Sequence, residues 1–245
     1  VLGLPDSIQG LLFDMDGVLT QTAVVHARAW KQAFDAFLEP WAKAHGSEFT
    51  PFDSDRDYDE YVDGMPRLDG VRSFLKSRGI ELPEGSAEDP SDAETVNGVG
   101  NHKQEILEAL IKRDGVKPYE GSVRYVHAAL EQGLRCAVVS SSANTHDVLS
   151  AAGIGDLFQT VIDGNTVAED HLKGKPAPDS YLAGAEAISV APAHAAVFED
   201  ALSGVEAGAN GHFGCVVGVD RVGQADALRA HGATIVVGDL AELLD

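Results

Sequence analysis

Six short apolar runs constrain this chain more than any other feature: Gly10 to Phe13, Leu134 to Val139, Thr160 to Ile162, Ala195 to Phe198, Cys215 to Val219 and Thr234 to Val237. Each stops abruptly at a polar or glycine-containing stretch, as strands buried on both faces do. Between the later runs lie segments with helical spacing, at Val123 to Glu131, Asn144 to Ala152, Ser180 to Ala187, Ser203 to Ala209 and Gln224 to His231. Strand and helix alternate, which predicts an α/β fold with a parallel sheet covered on both faces. At 245 residues the chain is long enough for such a core and a smaller second domain.

The alternation fails after the first run. From Ala23 to about Ile111 no stretch reads as a strand. Ala29, Trp30, Ala33, Phe34, Phe37, Leu38 and Trp41 recur at intervals that place them on one face of an amphipathic helix, where packing is their expected role. Pro83 to Gly100, rich in Glu, Asp, Ser, Gly and Pro, reads as a solvated loop or insertion.

Charge narrows the function. Against 18 basic residues stand 39 acidic ones, a formal charge of -21, and the resulting field repels nucleic acid and anionic lipid. It also disfavours an anionic substrate, so a phosphate site would need a metal or locally placed cations. No nucleic-acid or membrane partner is expected. Cys136 and Cys215 each sit in an apolar run with no ligand spacing near them, and read as buried thiols in a reducing cytoplasm. Val1 to Gln9 lacks the pattern of an export signal, which also points to the cytoplasm.

The chemistry-bearing residues stand where the strands end. The first run leads into Asp14-Met15-Asp16-Gly17, two carboxylates two residues apart at the edge of a parallel sheet where ligands bind. Strand periodicity can turn both to one side, and like charges that close favour a bound cation or a shared proton. The second run opens into Ser140-Ser141-Ser142-Ala143-Asn144, hydroxyls and amides at a helix start, which either cap that helix or cradle a phosphate. Pro176 and Pro178 stiffen the loop carrying Lys175, whose ammonium can neutralise phosphoryl oxygens. Glu199 and Asp200 close a further run with hard oxygen ligands suited to magnesium.

Carboxylate pair, hydroxyl cradle, lysine and second carboxylate pair, in that order, resemble the motifs of the haloacid dehalogenase superfamily. That resemblance implies a Rossmann-like parallel sheet core at 1–20 and 118–245 with an inserted all-helical cap domain at 21–117. It implies Asp14 as nucleophile, forming an aspartyl-phosphate, and Asp16 as general acid and base. Mg2+ would be held by Asp14, the backbone carbonyl of Asp16, Asp200 and Glu199, the last directly or through water. Ser140 and Lys175 would bind the transferring phosphoryl group.

Within the inserted segment, Thr22, His26, Trp30, Gly64, Arg67 and Lys103 fall where the β-phosphoglucomutase subgroup has its counterparts. By that resemblance, with Ser141, Ser142 and Asn144, they would contact a phosphorylated sugar. His26 could relay protons or bond Asp16, Arg67 could clamp a second phosphate, and Lys103 could meet sugar hydroxyls or steady the cap. Hinges would lie near Thr20 to Thr22 and Gly115 to Gly121. The sequence departs from the subgroup at Asp63, Pro66, Ala143 and Ala201 and in the acidic stretch Ala87 to Glu94. The expected activity is a mutase acting on β-glucose 1-phosphate, with a phosphomonoester phosphatase as the alternative and a monomer as the expected state. A silent phosphate- or magnesium-binding module is disfavoured by the intact aspartate pair. A dinucleotide enzyme is disfavoured because no G-x-G-x-x-G follows the first strand.

Overall fold

The computed structural model describes residues 2–244. In chain order it contains β1 (Gly10–Phe13), α1 (Ala23–His45), α2 (Arg56–Tyr61), α3 (Arg67–Ser77), α4 (Val96–Asp114), α5 (Glu120–Glu131) and β2 (Arg135–Val139). There follow α6 (Thr145–Ala151), β3 (Thr160–Ile162), α7 (Gly164–Glu169), α8 (Asp179–Ala187), β4 (Ala195–Glu199), α9 (Leu202–Asn210), β5 (Cys215–Val219), α10 (Ala225–Ala230) and β6 (Ile235–Val237). The described residues form two compact units, one of 2–22, 64–66 and 116–244, the other of 23–63 and 67–115.

The first unit is built on a six-stranded sheet in the order β3-β2-β1-β4-β5-β6. Every pairing is parallel. Strands β1, β4 and β5 are buried along their whole length, which explains why they lack the polar alternation of a half-solvated strand. Gly10 in β1 is required by packing: a Cβ there would come within 2.7 Å of Ile188 Cδ1. Phe13 and Phe198 stack across the β1–β4 pair with ring centroids 4.5 Å apart.

From β1 the strand order runs one way through β2 and β3, then reverses through β4 and beyond. The reversal opens a crevice at the carboxyl ends of β1 and β4, where doubly wound sheets bind ligands. Asp14 follows β1 directly, and Glu199 and Asp200 close β4.

The second unit is helical. Trp30, Phe34 and Leu38 of α1 meet Phe52, Val71, Phe74 and Val96 in a buried cluster. Phe34 is at its centre, with ring centroids 5.0 Å from Trp30, 5.2 Å from Phe52 and 4.2 Å from Phe74. Ala29 of α1 also packs against Leu107 and Leu110 of α4.

One local expectation needs correction. Pro83 to Gly100 is not loop throughout, because α4 begins at Val96. Thr95 caps it by accepting from the Gly98 amide at 2.9 Å, and burial of Val96 and Val99 adds apolar stabilisation that the polar composition upstream conceals. Helix α7 lies outside the segments whose spacing predicts a helix. It forms because Asp163 accepts from the Thr166 amide at 2.8 Å, an N-cap opening a very short helix.

Candidate active site

The loop from Asp14 to Thr20 is held by its own backbone. Leu19 and Thr20 amides both donate to the Met15 carbonyl, at 2.9 and 3.0 Å, and the Gly17 amide donates to Thr20 O at 2.8 Å. Gly17 has φ +82°, a conformation costly for any residue with a Cβ. A Cβ there would also lie 1.7 Å from Asp200 Oδ2. This glycine therefore both turns the loop and lets Asp200 approach it.

Lys175 lies at the centre of the site. Its ammonium donates to Asp14 Oδ1 and to Glu199 Oε1, each at 2.6 Å, and to the Val139 carbonyl at 3.3 Å. All three side chains are buried. Burial works against the Lys175 charge, but Asp14 and Glu199 outweigh it and hold the ammonium above the usual lysine range. Asp14 is driven well above the usual carboxylate range by burial, against the pull of Lys175 and with added repulsion from Glu199 and Asp16.

Glu199 has a further partner that sequence reading missed. The Tyr181 hydroxyl, from α8, donates to Glu199 Oε1 at 2.8 Å, and the Lys175 ammonium lies 4.9 Å from the Tyr181 ring centroid. Glu199 Oε2 accepts from the Ala201 amide at 3.2 Å. Gly204 leaves room for this carboxylate, since a Cβ there would lie 1.7 Å from Oε1.

Asp14, Glu199 and Asp200 each offer a carboxylate oxygen within 4.8 Å of the others, a buried arrangement that can hold a metal ion. The donor set fits a hard divalent cation, since all three residues offer carboxylate oxygens, the ligand type such ions prefer. Asp16 does not supply its carboxylate to that trio. It accepts a short hydrogen bond from Thr22 Oγ1, which in turn lies 2.7 Å from Thr20 Oγ1.

The serine cluster divides by position. Ser140 is buried, and its Oγ accepts from the Ser142 amide at 3.1 Å. Ser141 Oγ donates to the Gly64 carbonyl at 2.8 Å, and Ser142 Oγ accepts from the Asn144 amide at 3.2 Å. Asn144 Nδ2 is buried with no hydrogen-bond partner. Gly64 has φ +69°, and a Cβ there would come 2.5 Å from Ser203 Oγ.

The remaining sequence-predicted residues belong to the helical unit. Lys103 Nζ lies 3.2 Å from His26 Nδ1 and 4.9 Å from the Trp30 ring centroid. Trp30 is buried among core aromatics, so packing accounts for most of its surface. Arg67 opens α3, its Nε is buried without a hydrogen-bond partner, and burial pulls its guanidinium below the usual range against the opposing influence of Glu108.

A parallel sheet with paired carboxylates at the ends of β1 and β4 and a buried lysine between them is a site for handling a transferable anionic group. A model of the haloacid dehalogenase-like hydrolases matches residues 8–212. β-Phosphoglucomutase of Mycobacterium tuberculosis (strain CDC 1551 / Oshkosh) is 56% identical over 247 residues, covering 100% of this chain and 94% of that protein. The Bacillus subtilis (strain 168) β-phosphoglucomutase is 29% identical, covering 96% and 92%. Among solved structures, β-phosphoglucomutase from Clostridium difficile superposes with a TM-score of 0.73 at 23% identity, covering 96% and 93%. The chain belongs to the haloacid dehalogenase superfamily and is an enzyme of its β-phosphoglucomutase-like subgroup. No described helix is long and apolar enough to cross a membrane.

Proposed function

We propose that this enzyme is a β-phosphoglucomutase, interconverting β-glucose 1-phosphate and glucose 6-phosphate by way of glucose 1,6-bisphosphate. The observation that carries the choice is the 56% identity to a β-phosphoglucomutase along the whole chain. The buried Lys175–Asp14 contact supports the chemistry.

In this reading Asp14 attacks phosphorus, forming an O–P bond as the bond to the sugar oxygen breaks. Asp16, fixed by Thr22, donates the proton that the departing oxygen needs and takes one from the incoming hydroxyl on the return transfer. Lys175 holds Asp14 in place and offers positive charge to the transferring group. Ser140 would bind a phosphoryl oxygen. Mg2+, held by Asp14, Asp200 and the Asp16 carbonyl, with Glu199 beside them, would neutralise phosphoryl oxygens when bound. The segment 21–117 would serve as the cap, with Arg67 for the second phosphate and His26 and Lys103 for the sugar. The two cysteines are free and buried, which suits a reducing cytoplasm.

Incubation with magnesium, β-glucose 1-phosphate and a trace of the bisphosphate tests this directly. Glucose 6-phosphate should accumulate with little free phosphate. Phosphate release without glucose 6-phosphate would make the enzyme a phosphatase, and absence of both products would refute β-glucose 1-phosphate as its substrate.

A further inference from the structure

The loop after β5 reaches back to the nucleophile loop through one side chain. Arg221 Nε donates to the Gly17 carbonyl at 2.8 Å, and Nη2 reaches the Val18 carbonyl at 3.4 Å. The same guanidinium donates through Nη1 to the Gly238 carbonyl at 2.8 Å and to Asp239 Oδ2 at 3.2 Å. Its carbon lies 3.6 Å from the centroid of the Tyr119 ring. One planar cation therefore joins the loop after β1, the segment after β6 and the residue preceding α5.

The two ends of the chain excursion are tied at the same place. Tyr119 N donates to Leu19 O at 2.9 Å, Gln21 N to Lys117 O at 2.8 Å, and Ser122 Oγ to Val18 O at 2.6 Å. Arg221 adds the bond to Gly17 O, and Gly17 is the residue against which Asp200 lies. A shift of Gly17 would thus change the space between Asp14 and Asp200. Lysine cannot substitute, because a single ammonium neither stacks on Tyr119 nor reaches carbonyls on opposite sides.

We propose that Arg221 is a positioning residue for phosphoryl transfer, holding the Asp14–Gly17 loop in the geometry that binds the metal and presents the nucleophile. The inference rests on the phosphoryl-transfer reading above. Displacement of a reacting group by an ångström can cost on the order of 10²-fold in rate, and loss of an outer support of a metal site about 10- to 100-fold in affinity.

The test compares full-length wild type, R221A and R221K by turnover of β-glucose 1-phosphate and by calorimetric magnesium binding without substrate. In R221A, kcat should fall roughly 10- to 100-fold with little change in KM, and magnesium affinity about tenfold or more. Millimolar guanidinium should restore part of both in R221A, while R221K stays impaired. Wild-type kcat and magnesium affinity in R221A would overturn the proposal, even with a lowered Tm. So would full activity in R221K, or losses in R221A that guanidinium leaves untouched. A wild-type enzyme that binds magnesium but leaves β-glucose 1-phosphate unchanged would sink the mutase reading alone, and Arg221 would then be judged on the variants' magnesium affinities.

Discussion

Lys175 Nζ stands 2.6 Å from Asp14 Oδ1 although 161 residues separate them in the chain. The pair joins the nucleophile proposed at the end of β1 to the loop that leads into α8. Replacing Lys175 by methionine leaves Asp14 and Glu199 buried with no cation between them. Removing one partner of a buried ion pair costs about 3–5 kcal/mol, and loss of a charge that stabilises a transition state costs about 10²- to 10³-fold in kcat. K175M should show both, by chemical denaturation and by turnover of β-glucose 1-phosphate. Wild-type values in either measurement would contradict the role given to this lysine.

Tyr181→Phe removes the hydroxyl that donates to Glu199 Oε1 and leaves the ring in place. A hydrogen bond to a charged group is worth roughly 1.5–3 kcal/mol, so Y181F should lower unfolding free energy by an amount of that order and reduce kcat while keeping the fold. Burial between carboxylates holds the Tyr181 phenol well above its usual range, so it serves as a neutral donor. Equal stability of Y181F and wild type in urea titrations would show that the bond contributes nothing.

Gly17→Ala places a Cβ within 1.7 Å of the present position of Asp200 Oδ2 and puts a Cβ-bearing residue at φ +82°. Asp200 must move. Magnesium affinity measured by calorimetry should drop by about tenfold or more, by the same reasoning that applies to any displaced support of a metal site. Undiminished affinity in G17A would contradict the role given to Gly17 in letting Asp200 reach the metal site.

Asp57 in the helical unit accepts from Arg78 at 2.7 Å, Arg56 at 3.1 Å and the Asp53 amide at 3.0 Å. Burial would raise its carboxyl, but the Asp53 amide, Arg78 and Arg56 outweigh burial and hold it below the usual range. The folded value therefore lies below the unfolded one. The stabilisation is fully present above the ordinary carboxylate range and is lost as pH falls through the depressed folded value. D57N should be less stable than wild type at neutral pH by about 1–3 kcal/mol, with the gap narrowing in acid. A gap that stays constant from neutral pH into strong acid would contradict this assignment.

The sheet was legible because its strands are continuous apolar runs, and Asp14 and Asp200 because each ends one. Tyr181 and Arg221 were not, since their meaning lies in contacts across the fold: Tyr181 meets Glu199 18 residues away, and Arg221 meets Gly17 204 residues away. A tyrosine on a helix face and an arginine in a polar loop carry no local sign of such partners. Glu199 was legible as an acidic residue, but its dense bonding to Lys175, Tyr181 and Ala201 N depends on packing around β4. The start of α4 was hidden because Thr95 and two valines follow a polar stretch whose composition resembles a loop.

The role of Asp14 as the phosphoryl carrier is tested most directly by a single-turnover chase. Enzyme is loaded with labelled phosphoryl from glucose 1,6-bisphosphate, confirmed by intact mass, and then mixed with β-glucose 1-phosphate. Wild type should carry one labelled phosphoryl group on Asp14 and pass it to the sugar, and D14N should take up none. Label on D14N, or label released from wild type as free phosphate instead of entering sugar bisphosphate, would contradict it.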